Sequence, residues 1–148
     1  MKDGNCGYLA VACLMSLPEN DWRKCRNVLL MKLNEHLDLY KNVSSEKGGA
    51  EQLHHRLTYF DDFSAPKYTW MTMPNMGHLI ASTYNVMLVF LSQRQYLTFL
   101  LLLSRSLAKQ PKVNAIGFVN GNHFIRCIYE ATVAYATGSQ QLVQILAR

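Results

Sequence analysis

Asp3-Gly4-Asn5-Cys6-Gly7-Tyr8-Leu9-Ala10-Val11-Ala12 sets a polar, turn-forming tetrapeptide directly before an apolar run, and how this stretch is read governs the rest of the chain. From Tyr8 to Met15 there is neither Gly nor Pro, which predicts a largely buried helix. It should stop near Leu17-Pro18, because Pro disfavours helical geometry in the residue before it. Asp3-Gly4-Asn5 then leads into that helix, and Cys6 stands at its N-terminus. A helix N-terminus offers unpaired backbone N–H groups and the positive end of the helix dipole. Such an end favours the thiolate, the nucleophilic form of a cysteine. The same N–H groups can hold the oxyanion that forms when a thiolate attacks a carbonyl.

A nucleophile of this kind needs a base, and none lies near Cys6 in sequence. His123 is the best candidate, since it follows the Asn120-Gly121 turn at the start of an apolar strand, where a side chain can project toward a helix end packed on the sheet. A Cys near the start and a His far downstream is an arrangement that Cys/His hydrolases adopt. Cys13, Cys25 and Cys127 lie on apolar faces and read as small buried hydrophobes. His36, His54, His55 and His78 fall on expected helices without H-E-x-x-H or similar ligand spacing, so no metal and no cofactor is implied. Trp70, Met71, Met73 and Met76 read as core or loop packing before they read as a partner surface.

Outward from Cys6 the chain runs as helices first and a sheet afterwards. Asn20 or Asp21 can cap a second helix, with Trp22, Cys25, Val28, Leu29, Leu33, Leu37 and Tyr40 on one face. Residues 44–49 read as a surface loop, and Ala50, Leu53, Leu57 and Phe60 repeat the helical spacing before Asp61-Asp62. Asn75 is placed to cap a short helix through Leu79, Ile80 and Thr83. Val86 to Phe90 and Thr98 to Leu103 are short apolar runs with the signature of strands buried on both faces. Ala115 to Val119, then Asn120-Gly121, then Phe124 to Tyr129 is a strong hairpin signal. The expected class is α+β, with N-terminal helices packed on a small, mostly antiparallel sheet.

Composition bounds the partners. With 148 residues, 49% of them hydrophobic and 17% charged, the chain suits one domain with a substantial core and argues against wholesale disorder. No stretch approaches the roughly 18 apolar residues of a membrane span. No secretory leader precedes Asp3, so an intracellular setting, cytoplasmic or nuclear, is expected. The four cysteines show neither a C-x-x-C pair nor the density of a disulfide scaffold. A net charge of +5 is scattered through Lys24, Arg56, Lys67, Arg94, Arg105 and Arg126, and without a clustered basic face it disfavours nucleic acid as a partner. The domain is expected over 1–130. Residues 131–148 form a C-terminal extension of small residues with a short amphipathic stretch at Leu142, Val143, Ile145 and Leu146.

Three ordered blocks together resemble one family. Asp3-Gly4-Asn5-Cys6-Gly7-Tyr8-Leu9-Ala10-Val11-Ala12 is similar to the catalytic-cysteine signature of the OTU (ovarian tumour) cysteine proteases, which remove ubiquitin from proteins. Trp70, then Met76-Gly77-His78-Leu79-Ile80-Ala81-Ser82 and Tyr84-Asn85-Val86-Met87-Leu88-Val89-Phe90, resembles the family's Trp, helix and following strand. Asn122-His123-Phe124 resembles its histidine block. The stretch from Trp70 to His78 is similar, more narrowly, to OTU domains that accompany Mutator-like transposable elements. The resemblance implies a papain-like α/β core and a partner that is ubiquitin or a ubiquitin-like protein, with no membrane involved. It implies Cys6 as nucleophile, His123 as base, and Asp3 as the residue holding the loop so that N–H groups around Gly4, Asn5 and Cys6 form the oxyanion hole. Many members carry an acid or amide two residues after the histidine to orient its ring. Here Ile125 stands at that position, leaving Asn122 and Asn120 as substitutes, although strand alternation points Asn122 away from His123. Leu9 stands where the family commonly has Arg. The alternative to an active deubiquitinase is a weak or inactive transposon-derived OTU domain that binds ubiquitin or another protein; no oligomeric state is assigned.

Overall fold

A computed structural model describes residues 4–17, 21–43, 48–61, 64–102 and 112–127. Helix α1 spans Cys6–Leu14, α2 Trp22–Glu35, α3 Leu37–Val43, α4 Gly49–Leu57 and α5 Gly77–Tyr84, with a short 3-10 turn at Lys67–Thr69. Strands β1 (Val86–Ser92), β2 (Tyr96–Phe99), β3 (Lys112–Val119) and β4 (His123–Cys127) form one sheet in the order β2-β1-β3-β4. β1 and β3 run parallel, while the β1–β2 and β3–β4 pairs are antiparallel. The α+β class and the mostly antiparallel sheet follow the sequence reading.

The helices lie on one face of the sheet because alternation turns Leu88, Phe90, Ile116 and Phe124 toward them, all at most 8% exposed. Tyr8 and Val11 of α1, Leu29 and Leu33 of α2, and Leu79 and Ile80 of α5 fill the space above with no exposure. Each such side chain contributes roughly 1.5–3 kcal/mol by leaving water. α1 sits over β3 and β4, α5 over β1 and β2, and α2 bridges α1, α4 and α5. Phe90, Phe118 and Phe124 form an aromatic cluster beneath the start of α1, the closest pair, Phe118 and Phe124, having centroids 4.7 Å apart.

Several element boundaries differ from the sequence reading for local reasons. α1 ends through Ser16 in the left-handed region (φ 60°), with the Leu17 N–H reaching Ala12 O at 2.8 Å, so backbone closure terminates it; Pro18 lies outside the described residues. The long second helix is two: His36 (φ −132°, ψ 37°) leaves helical geometry and separates α2 from α3. Of the expected caps, Asn20 lies outside the described residues and the others are not made. Neither Asp21 nor Met76, the residue that actually precedes α5, caps by a side-chain bond, and Asn75 lies one position too early. Gly49 begins α4, and Phe60 lies beyond that helix at 37% exposure.

The run from Thr98 to Leu103 is not a strand buried on both faces. β2 is Tyr96–Phe99 on the sheet edge, with Tyr96 77% and Leu100 54% exposed; Leu103 lies outside the described residues. Continuous apolar sequence there reflects packing of Phe99 on α5 and of Leu102 against the core, not a central position. The hairpin is as expected but starts earlier, at Lys112. Asn120 and Gly121 both take positive φ (54° and 68°), as a primed turn requires, and the Asn122 N–H closes on Val119 O at 3.2 Å. Residues 131–148 lie outside the described residues.

Candidate active site

Cys6 is the first residue of α1 and half-buried, and the Leu9 N–H bonds Asn5 O at 2.9 Å to begin the helix. Gly4 enters this turn with φ +77°, a conformation that L side chains rarely adopt, and a Cβ there would lie 2.2 Å from Trp70 Nε1. At Gly7 a Cβ would lie 2.7 Å from Met71 Cβ and 3.1 Å from Phe124 Cδ2. Both glycines therefore serve close approach: one lets the Trp70 ring seat under the cysteine turn, the other lets α1 settle on Met71 and β4. The indole is fixed in turn by its Nε1–H on Ala65 O at 2.7 Å.

His123 opens β4 opposite Val119 and is exposed. β4 lies at one edge of the sheet that the described residues form, and α1 packs against it. An open groove of about 420 Å³ lies between them, lined by Cys6, Leu9, Ala10, Cys13, His123 and the β4 residues that follow. The tertiary fold thus brings Cys6 and His123, 117 residues apart in sequence (123 − 6), to the lining of one groove. Ile125 lines the groove as well, whereas Asn120 and Asn122 stay in the turn and do not. Asp3 lies outside the described residues. Arg126 reaches the same groove and holds its Nη1 3.1 Å from Cys13 Sγ.

Asn5 is 3% exposed and makes no capping bond to its own helix. Its Oδ1 is engaged elsewhere, accepting from Arg26 Nη2 at 2.8 Å. Arg26 is fully buried, and burial pushes its pKa below the ordinary guanidinium range. Its guanidinium lies 3.8 Å from the Tyr8 ring centroid, and burial holds the Tyr8 phenol protonated well above its usual range. Arg26 escaped the sequence reading, although a signal existed. It shares the helical face of Trp22, Leu29 and Leu33, and a charge on a buried stripe needs partners. Of the other cysteines, Cys25 and Cys127 are buried as read, whereas Cys13 is half-buried on the groove wall beside Arg126. Cys25 is buried under the Tyr84 hydroxyl at 3.5 Å, and His78 places Nδ1 3.1 Å from Leu100 O.

The fold has solved counterparts. The OTU domain of OTUD1 superposes with a TM-score of 0.56 at 16% identity, covering 84% of this chain and 79% of that one. The viral OTU domain protease from Dera Ghazi Khan virus superposes with a TM-score of 0.54 at 11% identity, covering 85% of this chain and 75% of that one. No family model and no curated protein matches the sequence. At these identities the likeness establishes the OTU fold.

Proposed function

We propose that the chain is an OTU-like cysteine peptidase that hydrolyses the (iso)peptide bond at the C-terminus of ubiquitin or a ubiquitin-like protein. The observation that carries this reading is the shared groove: a cysteine at a helix N-terminus and a histidine at the start of the adjoining strand both line it, within an OTU fold. Cys6 Sγ attacks the carbonyl carbon as His123 takes its proton. The oxyanion is held by backbone N–H groups of the Gly4-Asn5-Cys6 turn. As the intermediate collapses, the C–N bond breaks and His123 returns the proton to the leaving amine, leaving a thioester on Cys6. His123 then deprotonates water, which attacks the thioester carbonyl, and the thiol is regenerated.

Asp3 is assigned the family's loop-holding role by the match of Asp3-Gly4-Asn5-Cys6. Asn122 and Asn120 are weaker assignments as third member, since neither lines the groove. Ubiquitin as substrate, and with it an intracellular setting, comes from the resemblance of the three sequence blocks. The narrower likeness of Trp70 to His78 supports an origin beside Mutator-like elements. Among the described residues no helix is long and apolar enough to cross a membrane.

The test is incubation with ubiquitin bearing a C-terminal thiol-reactive electrophile. A covalent adduct that disappears in Cys6→Ala and weakens in His123→Ala is the expected result. A folded protein that forms no adduct would sink the peptidase reading. Retained noncovalent binding of ubiquitin would then favour a binding module.

A further inference from the structure

Arg26 is a cation with no solvent exposure, and among the described residues the acceptors it reaches are neutral oxygens. Nη2 donates to Asn5 Oδ1 at 2.8 Å, while Nη1 donates to Thr69 O at 3.2 Å and to Arg56 O. Guanidinium groups carry donors and no acceptor, so the Asn5 atom that faces Arg26 has to be its carbonyl oxygen. The contact therefore fixes the orientation of the Asn5 amide as well as its position. Thr69 belongs to the segment 65–71, on which the cysteine turn rests through Trp70 and Gly4. Arg56 grips that segment from the other side, donating to Tyr68 O at 2.8 Å and Trp70 O at 3.2 Å. Tyr8 adds a third hold, its hydroxyl 3.3 Å from Thr69 O.

A buried charge is a poor choice where stability alone matters, because well-packed apolar residues of the same volume usually do as well or better. Among the described residues, Arg26 Nε is even buried without a hydrogen-bond partner. What an apolar side chain cannot do is bond the Asn5 amide and the Thr69 carbonyl together. We propose that Arg26 is a positioning residue for the Cys6 site, locking the Gly4-Asn5-Cys6 turn against segment 65–71 through Asn5 Oδ1. The proposal rests on the reading of Cys6 as nucleophile. A turn held this way presents its N–H groups to the developing oxyanion without reorganisation at the moment of reaction.

The test compares Arg26→Lys, Asn5→Ala and the double variant in the full chain. One readout is turnover of ubiquitin carrying a fluorogenic C-terminal amide, the other hydrogen–deuterium exchange. In folded Arg26→Lys, kcat should fall about ten- to a hundred-fold with KM within about two-fold, since a misplaced turn weakens transition-state contacts and not ubiquitin binding. Exchange should quicken in peptides covering residues 4–9 and keep its wild-type rate across 86–92. Asn5→Ala should behave alike, and the double variant should lose little more, because both remove the same bond between Arg26 Nη2 and Asn5 Oδ1. Wild-type kcat together with wild-type exchange at 4–9 in folded Arg26→Lys overturns the proposal, as do two losses that multiply in the double variant. Should Arg26→Lys not fold, Asn5→Ala decides by the same two readouts. If the wild-type protein turns over no substrate, the peptidase reading fails separately. Exchange at 4–9 still decides then: quickening in the variants upholds Arg26 as the anchor of the turn, and unchanged exchange overturns it.

Discussion

Gly4→Ala should couple energetically to Trp70. Ala at position 4 would have to hold φ +77°, which costs an L-residue roughly 1–2 kcal/mol. Its Cβ would also lie 2.2 Å from Trp70 Nε1, 2.6 Å from Trp70 Cδ1 and 2.8 Å from Ala65 O. The rigid, part-buried indole cannot yield by a rotamer hop, so either the ring or the turn must move. Moving the ring breaks the 2.7 Å bond to Ala65 O, worth about 1 kcal/mol, and overpacking adds about 1–3 kcal/mol. Against this, Ala lowers unfolded-chain entropy by only about 0.4–1 kcal/mol. The net expectation is a loss of about 3 kcal/mol, a substantial part of a domain's usual ~5–15 kcal/mol. Urea unfolding of wild type, Gly4→Ala, Trp70→Ala and the double variant measures it. With the indole gone, two of the three close contacts vanish, so Gly4→Ala should cost only about 1–2 kcal/mol in the Trp70→Ala background. Strict additivity, within about 0.5 kcal/mol, would refute the seating of Trp70 under the cysteine turn.

Three further outcomes follow from neighbouring geometry. Burial pushes the Cys25 thiol up to about 11 from an ordinary 9.0. The unfolded chain therefore ionises first, and stability, full below pH 9.0, declines as pH rises toward about 11, by roughly 1.4 kcal/mol per pH unit. Urea midpoints from pH 7 to 11 should show this, and Cys25→Ala should flatten the slope; an unchanged slope removes the thiol as its cause. Gly7→Ala gains about 1 kcal/mol of helix propensity but sets a Cβ 2.7 Å from Met71 Cβ, an overpacking of about 1–3 kcal/mol. A lower Tm by calorimetry is expected, and an equal or higher one would show that Met71 does not abut α1. Ile125→Asn offers an amide on the groove wall beside His123, and kcat should rise about ten-fold at constant KM; unchanged turnover in the folded variant would exclude orientation of the ring from this position.

Legibility was uneven, and the pattern has physical causes. α1, β1 and the Asn120-Gly121 hairpin were visible because each depends on local signals: an uninterrupted apolar run, a β-rich run, and two residues tolerant of positive φ. The break at His36 was not, since Leu37 and Tyr40 keep the helical spacing across it and the polar residues there accept either geometry. β2 was misplaced because an apolar run reports burial without saying whether a sheet or a neighbouring helix supplies it. Asn5 is suited to cap α1, but its oxygen is held by Arg26, a partner 21 residues away in sequence. Local propensity competes with tertiary contacts and loses where a buried charge must be satisfied.

By itself the sequence determined the helix that begins at Cys6, the strand that begins at His123 and the α+β class, because turn chemistry and periodicity act over a few residues. Only the tertiary structure decided that these two ends share a groove, since that depends on β4 lying at the sheet edge under α1. It alone decided that Asn120 and Asn122 stay out of that groove. And it gave Arg26 its place beneath the cysteine turn: the sequence shows a basic residue on a helix, while burial with neutral oxygens around it is a property of packing that no single segment contains.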